Sequence, residues 1–225
     1  MIKSIRILTL VIAFLVLMLG AFNLNPRREL LLASKAYENG DFDQAMRHAR
    51  RAIIFSTKEY SKEKGNSFLL EYKIAMEKGK FLYALNCVMK AEDKFRKCCS
   101  CYLKEGFANY ALRNFSVSVN NISKAFKCEK FSNKTASFYY AIRGLDYVEM
   151  GDFMKAQNDA EKSLSLDGDN PVAHLLKSKI FLLFFNDKEN AFSEARKSLY
   201  LGFAKRGFFD SEIGKRWHKY IINPY

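Results

Sequence analysis

Residues 151–163 read Gly151-Asp152-Phe153-Met154-Lys155-Ala156-Gln157-Asn158-Asp159-Ala160-Glu161-Lys162-Ser163. Gly-Asp-Phe is a helix-breaking turn followed by a fresh helix start. The small residues Ala156, Ala160 and Ser163 then fall at i, i+4 and i+7, one face of a helix. A stripe of Ala and Ser lets a second helix approach closely, so such a helix needs an antiparallel partner.

The pattern recurs along the chain. Gly40-Asp41-Phe42 leads to Ala45, Ala49 and Ala52; Gly79-Lys80-Phe81 to Ala84, Val88 and Ala91; Arg113-Asn114-Phe115 to Ser118, Ile122 and Ala125. A worn fifth copy has Ala191, Ala195 and Ser198 in register, with Lys188 in place of the Phe. The first small residue falls at 45, 84, 118, 156 and 191, at intervals of 39, 34, 38 and 35. Partner helices are expected before each turn, over residues 29–39, 67–78, 102–112, 136–150 and 172–185. The longer intervals come from polar stretches at residues 56–66 and 127–135, read as loop insertions between helix pairs.

These residues resemble the tetratricopeptide repeat family, a 34-residue helix-turn-helix unit. The fourth copy matches best, through Tyr140, Gly144, Tyr147, Gly151-Asp152-Phe153, Ala156, Ala160 and the run from Leu166 to Pro171. The first matches through Ala33, Gly40-Asp41-Phe42, Ala45, Ala49 and Ala52. The second and third depart from the family, with Tyr72 and Asn109 where it prefers Gly and Tyr. The expected architecture is all-α: a right-handed α-solenoid of about five such pairs over residues 26–205, with repeats near 26–60, 65–97, 99–130, 136–170 and 172–202. A capping helix and tail follow over residues 206–225, where Ile213, Trp217, Tyr220 and Ile221 form an apolar face. A basic-aromatic foot on a membrane surface is the second reading of that tail.

Composition agrees with a long run of helices. With half of the chain apolar (49%), intrinsic disorder is excluded, and 11 Gly with 3 Pro exclude a collagen-like or linker chain. The prolines, Pro26, Pro171 and Pro224, leave nearly two hundred residues with a single interruption. At the start, residues 7–24 are uncharged, with only Thr9 and Asn23 polar. As a helix they would span roughly 27 Å, just enough for the hydrocarbon core. Small-residue pairs of the kind a signal peptidase needs are absent, so residues 1–25 read as an uncleaved single-pass anchor, with a cleaved signal as the alternative. Lys3 and Arg6 on one side nearly balance Arg27 and Arg28 on the other, and a very short N-terminal tail favours export of the domain.

No catalytic constellation is visible. His48, His174 and His218 lie in different repeats without metal-ligand spacing, and His48 is expected on an outward, solvated slot. Asp152, Asp167 and Asp169 sit where turns and caps want Asp. A phosphate loop, nucleophile elbow or carboxylate pair is not found, so neither enzyme activity nor a cofactor is expected. Cys87, Cys98, Cys99, Cys101 and Cys128 are read first as small apolar residues; one disulfide between the Cys98–Cys101 connection and Cys128, or a metal, are the alternatives.

The resemblance implies that the first helix of each pair lines a concave groove. It maps that lining onto Tyr37, Leu69, Lys73, Met76, Leu103, Phe107, Tyr110, Leu145, Val148, Ile180 and Leu183. The Lys/Asn/Arg clamp that some family members use on C-terminal carboxylates is missing. An apolar and aromatic lining suits an amphipathic helix or apolar peptide, and hence a membrane-tethered scaffold for a protein partner. A net charge of +13 raises the competing reading of a nucleic-acid or polyanion binder. The lysines are dispersed and alternate with Glu, which fits a solvated face or anionic lipid better than nucleic acid.

Overall fold

The structure, a computed structural model, describes residues 25–204. Among them are ten α-helices and no strands, arranged as five antiparallel pairs. The first helices are α1 (Pro26–Glu38), α3 (Ser61–Glu77), α5 (Cys99–Ala111), α7 (Asn133–Glu149) and α9 (Pro171–Leu183). The second helices are α2 (Phe42–Phe55), α4 (Phe81–Glu92), α6 (Phe115–Cys128), α8 (Phe153–Leu166) and α10 (Lys188–Ala204). A 3-10 turn, Lys58–Tyr60, precedes α3.

The same turn is built five times. Gly40, Gly79 and Gly151 adopt φ of 78°, 68° and 78°, and Arg113 and Asn186 take the same left-handed region at 64° and 51°. In the first four turns the backbone N–H three residues past the helix reaches back to close it: Asp41 to Ala36 (2.9 Å), Lys80 to Ala75 (2.8 Å), Asn114 to Asn109 (2.9 Å) and Asp152 to Tyr147 (2.8 Å). The fifth turn is one residue wider, with Asp187 N–H donating to the Phe181 carbonyl at 2.8 Å. Fresh starts are capped by side chains. Asp41 accepts from the Gln44 N–H and Asp152 from the Lys155 N–H, while Asn25 and Asn170 cap the helices that open on Pro26 and Pro171.

The stripe of small residues is the contact. Ala45, Ala49, Ala52, Ala84, Ala91, Ser118, Ala125, Ala156 and Ser163 are fully buried. A Cβ on Gly106 would overlap Ile122, and one on Gly144 would overlap Leu176 of the next pair. Neighbouring first helices pack on one another (α1 on α3, α5 on α7, α7 on α9), and no two second helices do so comparably. The first helices therefore form the inner wall and the second helices fan outward. One core cluster runs from α3 to α9, and a smaller one joins α1 and α2 to Leu70 and Ile74 of α3.

The polar insertions are only partly loops. Helices α3 and α7 are 17 residues long where α1, α5 and α9 have 13, so part of each insertion is an extra N-terminal turn. Residues such as Lys62, Glu63 and Lys64 are good helix formers, and Arg27 Nε binds Glu63 Oε1 at 2.7 Å to hold that turn against α1. The uncharged segment 7–24 and the capping segment 206–225 both lie outside the described residues. Among the described helices none is long and apolar enough to cross a membrane.

Arg113 occupies a conformation that costs a non-glycine residue about 1–2 kcal/mol. Its contacts are exposed: Glu149 at 3.6 Å, with the guanidinium 66% accessible, and the Phe115 ring. Arg113→Gly should therefore raise stability by about 1 kcal/mol, the part of that strain left after glycine's own entropic cost. The readout is a higher midpoint in thermal or urea unfolding.

Candidate binding surface

The inner wall is built by first helices, and their depth decides which residues a partner could touch. Of the expected lining, Met76, Leu103, Leu145, Val148 and Ile180 are core residues, between 1% and 6% exposed. They are corrected from lining to packing. The cause is close nesting: Gly106 admits Ile122 of its own pair and Gly144 admits Leu176 of the next, so the helices close over the inner slots. Tyr37, Leu69, Phe107 and Tyr110 are half-buried, while Lys73 and Leu183 are exposed.

The half-buried aromatics meet in the middle of the solenoid. Phe107 lies 6.5 Å from Tyr110 in a stacked arrangement and 5.3 Å edge-on from Phe138 at the start of α7, with Tyr139 at 6.4 Å. Tyr110 also tilts against Phe115 at 6.4 Å. Phe138 is absent from the expected lining. It sits three residues before Ala141, on the same helical face. Two cations lie on the first helices α3 and α5. Lys73 places its ammonium 5.9 Å over the Tyr37 ring, and Lys104 donates to the Ser100 carbonyl at 3.3 Å. Burial, and then the proximity of Lys73, hold the Lys104 ammonium below the usual lysine range.

Beneath the inner wall lies a set of buried polar groups. Arg143 on α7 forms a bidentate pair with Asp159 on α8, both bonds 2.7 Å, and also donates to Ser123 on α6. Its guanidinium lies within 5.2–5.9 Å of the Phe126, Tyr140 and Tyr147 rings. Asp146, one position past Leu145, accepts from the Ser118 hydroxyl at 2.6 Å, and its other oxygen has no partner among the described residues. Burial pushes its carboxyl up to about 8. Glu105 on α5 is raised to about 7 by burial and by neighbouring Glu92. His48 is not solvated: its side chain is 16% exposed, and Nδ1 meets Glu29 Oε2 at 2.7 Å. His174 pairs likewise with Glu194 at 2.5 Å. Each ties the two helices of one pair together.

The cysteines also differ from their first reading. Cys98–Cys101 and Cys99–Cys128 are disulfides, with Cα separations of 5.1 and 5.7 Å that suit the bond. The second pair is the expected link between that connection and Cys128. The first closes the opening turn of α5, a pairing the short spacing did not suggest. Cys87 remains a buried thiol, raised to about 12 by burial and by Glu71. Among the described residues no group of three His, Cys, Asp or Glu is placed to hold a metal ion.

A scan against protein-family models finds no match, and neither does a search of curated proteins. Solved structures do match. A crystal structure of MamA shares 20% identity over 81% of this chain and 95% of that one, with a TM-score of 0.59. The fold is the tetratricopeptide-repeat fold. A thermophilic tetratricopeptide protein of Thermus thermophilus covers 88% of this chain and 100% of its own, at 16% identity and TM-score 0.61. YrrB, described as a tetratricopeptide protein with an unusual peptide-binding site, covers 84% and 90% at 11% identity and TM-score 0.57. On the inner wall of that fold this chain carries an aromatic cluster.

Asp146 gives the scaffold a pH dependence with a definite sign. Unfolded, its carboxyl ionises near 3.8; folded, it keeps its proton until about 8. Between those values the folded state binds the extra proton, so stability falls as pH rises through that window. Asp146→Asn should flatten the fall and leave the variant more stable than wild type at pH 8, measured by urea unfolding at pH 5 and pH 8.

Proposed function

We propose that the chain is a membrane-tethered scaffold that grips a protein partner, an apolar peptide or amphipathic helix, on the inner wall of its solenoid. The observation that carries this reading is the half-buried cluster of Phe107, Tyr110 and Phe138 at the centre of that wall. Such rings offer a large apolar area that loses little rotamer freedom on binding, the usual basis of interface hot spots. YrrB and its peptide-binding site supply a precedent for the fold, at an identity too low to transfer residues. Lys73, over the Tyr37 ring, and Lys104 near it suit a partner with an acidic group on the flank of its apolar face. Catalysis is not part of the proposal.

The tether is the uncharged segment 7–24, and the partner is a component of a membrane or envelope complex. The domain is placed on the exported side. Two disulfides support that placement, because such bonds persist in oxidising compartments and are rare in reducing ones. Residues 206–225 are assigned to cover the last pair, where Phe192 and Tyr200 are 61% and 76% exposed.

Two experiments decide. Full-length protein should stay with membranes through carbonate extraction, and intact mass should show an uncut N-terminus; a mature start near residue 21 would make the segment a signal peptide. Once a partner is captured, Phe107→Ala and Tyr110→Ala should each weaken binding by about 2 kcal/mol with only a weak salt dependence in wild type. Unaffected aromatic variants with a steep salt slope would instead identify a polyanion binder.

A further inference from the structure

The two edges of the solenoid differ in charge. One edge is formed by the start of α1 and the connections between pairs. Over residues 25–28, 56–64, 93–97 and 127–134 it carries eleven Lys and Arg against four Asp and Glu. The opposite edge is formed by the turns within pairs, residues 39–43, 78–80, 112–115, 150–153 and 184–189. It carries four Lys and Arg against five Asp and Glu.

Pairing differs as well. On the turn edge, Lys78 binds Asp43 and Arg113 binds Glu149. On the connection edge Arg27 binds Glu63, while Lys62, Lys94, Arg96, Lys127, Lys130 and Lys134 form no ion pair among the described residues. Lys62, Lys94, Arg96 and Lys97 surround Phe95 in an open depression of about 600 Å³. The positive stretch ends at the fourth connection, which carries Asp167 and Asp169 and no cation.

We propose that this connection edge lies against anionic phospholipid headgroups, with the phosphates meeting the unpaired cations of its first three connections. The proposal rests on the reading of residues 7–24 as a bilayer span. The uncharged segment ends one residue before Asn25, the cap of α1, and α1 starts on this edge. The chain itself therefore delivers the bilayer surface to Arg27 and Arg28. Adjacent helices pack about 8–10 Å apart, so the three connections reach along the surface from that point over roughly 20–50 Å. Headgroup attraction fades within a Debye length, about 8–10 Å, so the cations benefit only if this edge faces the lipid. A polynucleotide would meet the same cations, but nothing in the chain brings it to this edge. The inner wall then opens sideways, parallel to the membrane, with the turn edge farthest from it.

The test is lysine acetylation footprinting of the full chain in nanodiscs, read by mass spectrometry. Discs of phosphatidylcholine alone are compared with discs that also contain phosphatidylglycerol. Acetylation at Lys62, Lys94, Lys97, Lys127, Lys130 and Lys134 should slow about five-fold in the anionic discs, the equivalent of the attraction of one cation to an anionic surface. Lys80 and Lys188 on the turn edge should react equally in both. The triple variant Lys94→Glu, Arg96→Glu, Lys97→Glu should lose the protection at Lys62 and Lys130 at an unchanged melting temperature. Equal rates in both lipids, or equal slowing on both edges, overturn the proposal. Protection by added single-stranded polynucleotide but not by phosphatidylglycerol overturns it in favour of nucleic acid. Failure of the anchor reads out separately, as release by carbonate; co-flotation with anionic but not neutral vesicles then still decides the edge.

Discussion

The close approach of two helices at a stripe of small side chains is the constraint from which the rest of the structure follows. Ala45, Ala84, Ser118, Ala156 and Ala191 each sit where a bulkier residue would push the pair apart. The left-handed residue in every turn sets the distance at which the chain re-enters, so turn and stripe act together. Gly106 and Gly144 extend the same economy of volume to the partner helix and the next pair. Close packing within and between pairs fixes which face of α1, α3, α5, α7 and α9 turns inward. It also determines how much of that face stays open.

This explains why the architecture is legible in the sequence and the binding surface only half so. The turns declare themselves through Gly40, Gly79 and Gly151, and register then places Arg113 and Asn186 in the same role without a glycine. Helical period tells which residues share a face. It says nothing about how deeply neighbouring pairs nest, so Leu145, Val148 and Ile180 read as surface although they lie inside the core cluster that runs from α3 to α9. Phe138 lies inside the expected helix 136–150, but helical period alone gives no sign that its ring meets Phe107 of the preceding pair. His48 looks solvated because a single helix gives no sign that Glu29 lies across from it on α1. Likewise, the spacing of Cys98 and Cys101 resembles half a metal site until the fold brings Cys128 beside Cys99.

Polar groups inside the solenoid concentrate where repeats three and four meet. Arg143 joins α7 to α8 and α6, and Asp146 joins α7 to α6 through Ser118, while Ser137, Ser163 and Asn170 form a hydrogen-bonded cluster at the other end of the fourth pair. A buried bidentate pair loses its value sharply when either partner moves, so it fixes α7 against α8 more narrowly than apolar contacts alone. The third bond of Arg143, to Ser123, ties that pair to the one before it. The aromatic cluster of the inner wall spans the same junction, from Phe107 on α5 to Phe138 on α7. Its geometry is inherited from the polar groups beneath it.

The bond between Cys99 and Cys128 joins the first residue of α5 to the last residue of α6, and so it girdles the whole third pair. A solenoid under tension behaves as links in series, each able to unravel on its own. Here one link is bolted shut. The 29-residue separation withholds about 100 Å of contour length that an unlinked third pair would release when pulled straight. Pulled from its two ends, the chain can lengthen through the first two pairs or the last two, but the link that carries Phe107 and Tyr110 cannot lengthen beyond the span of its bond.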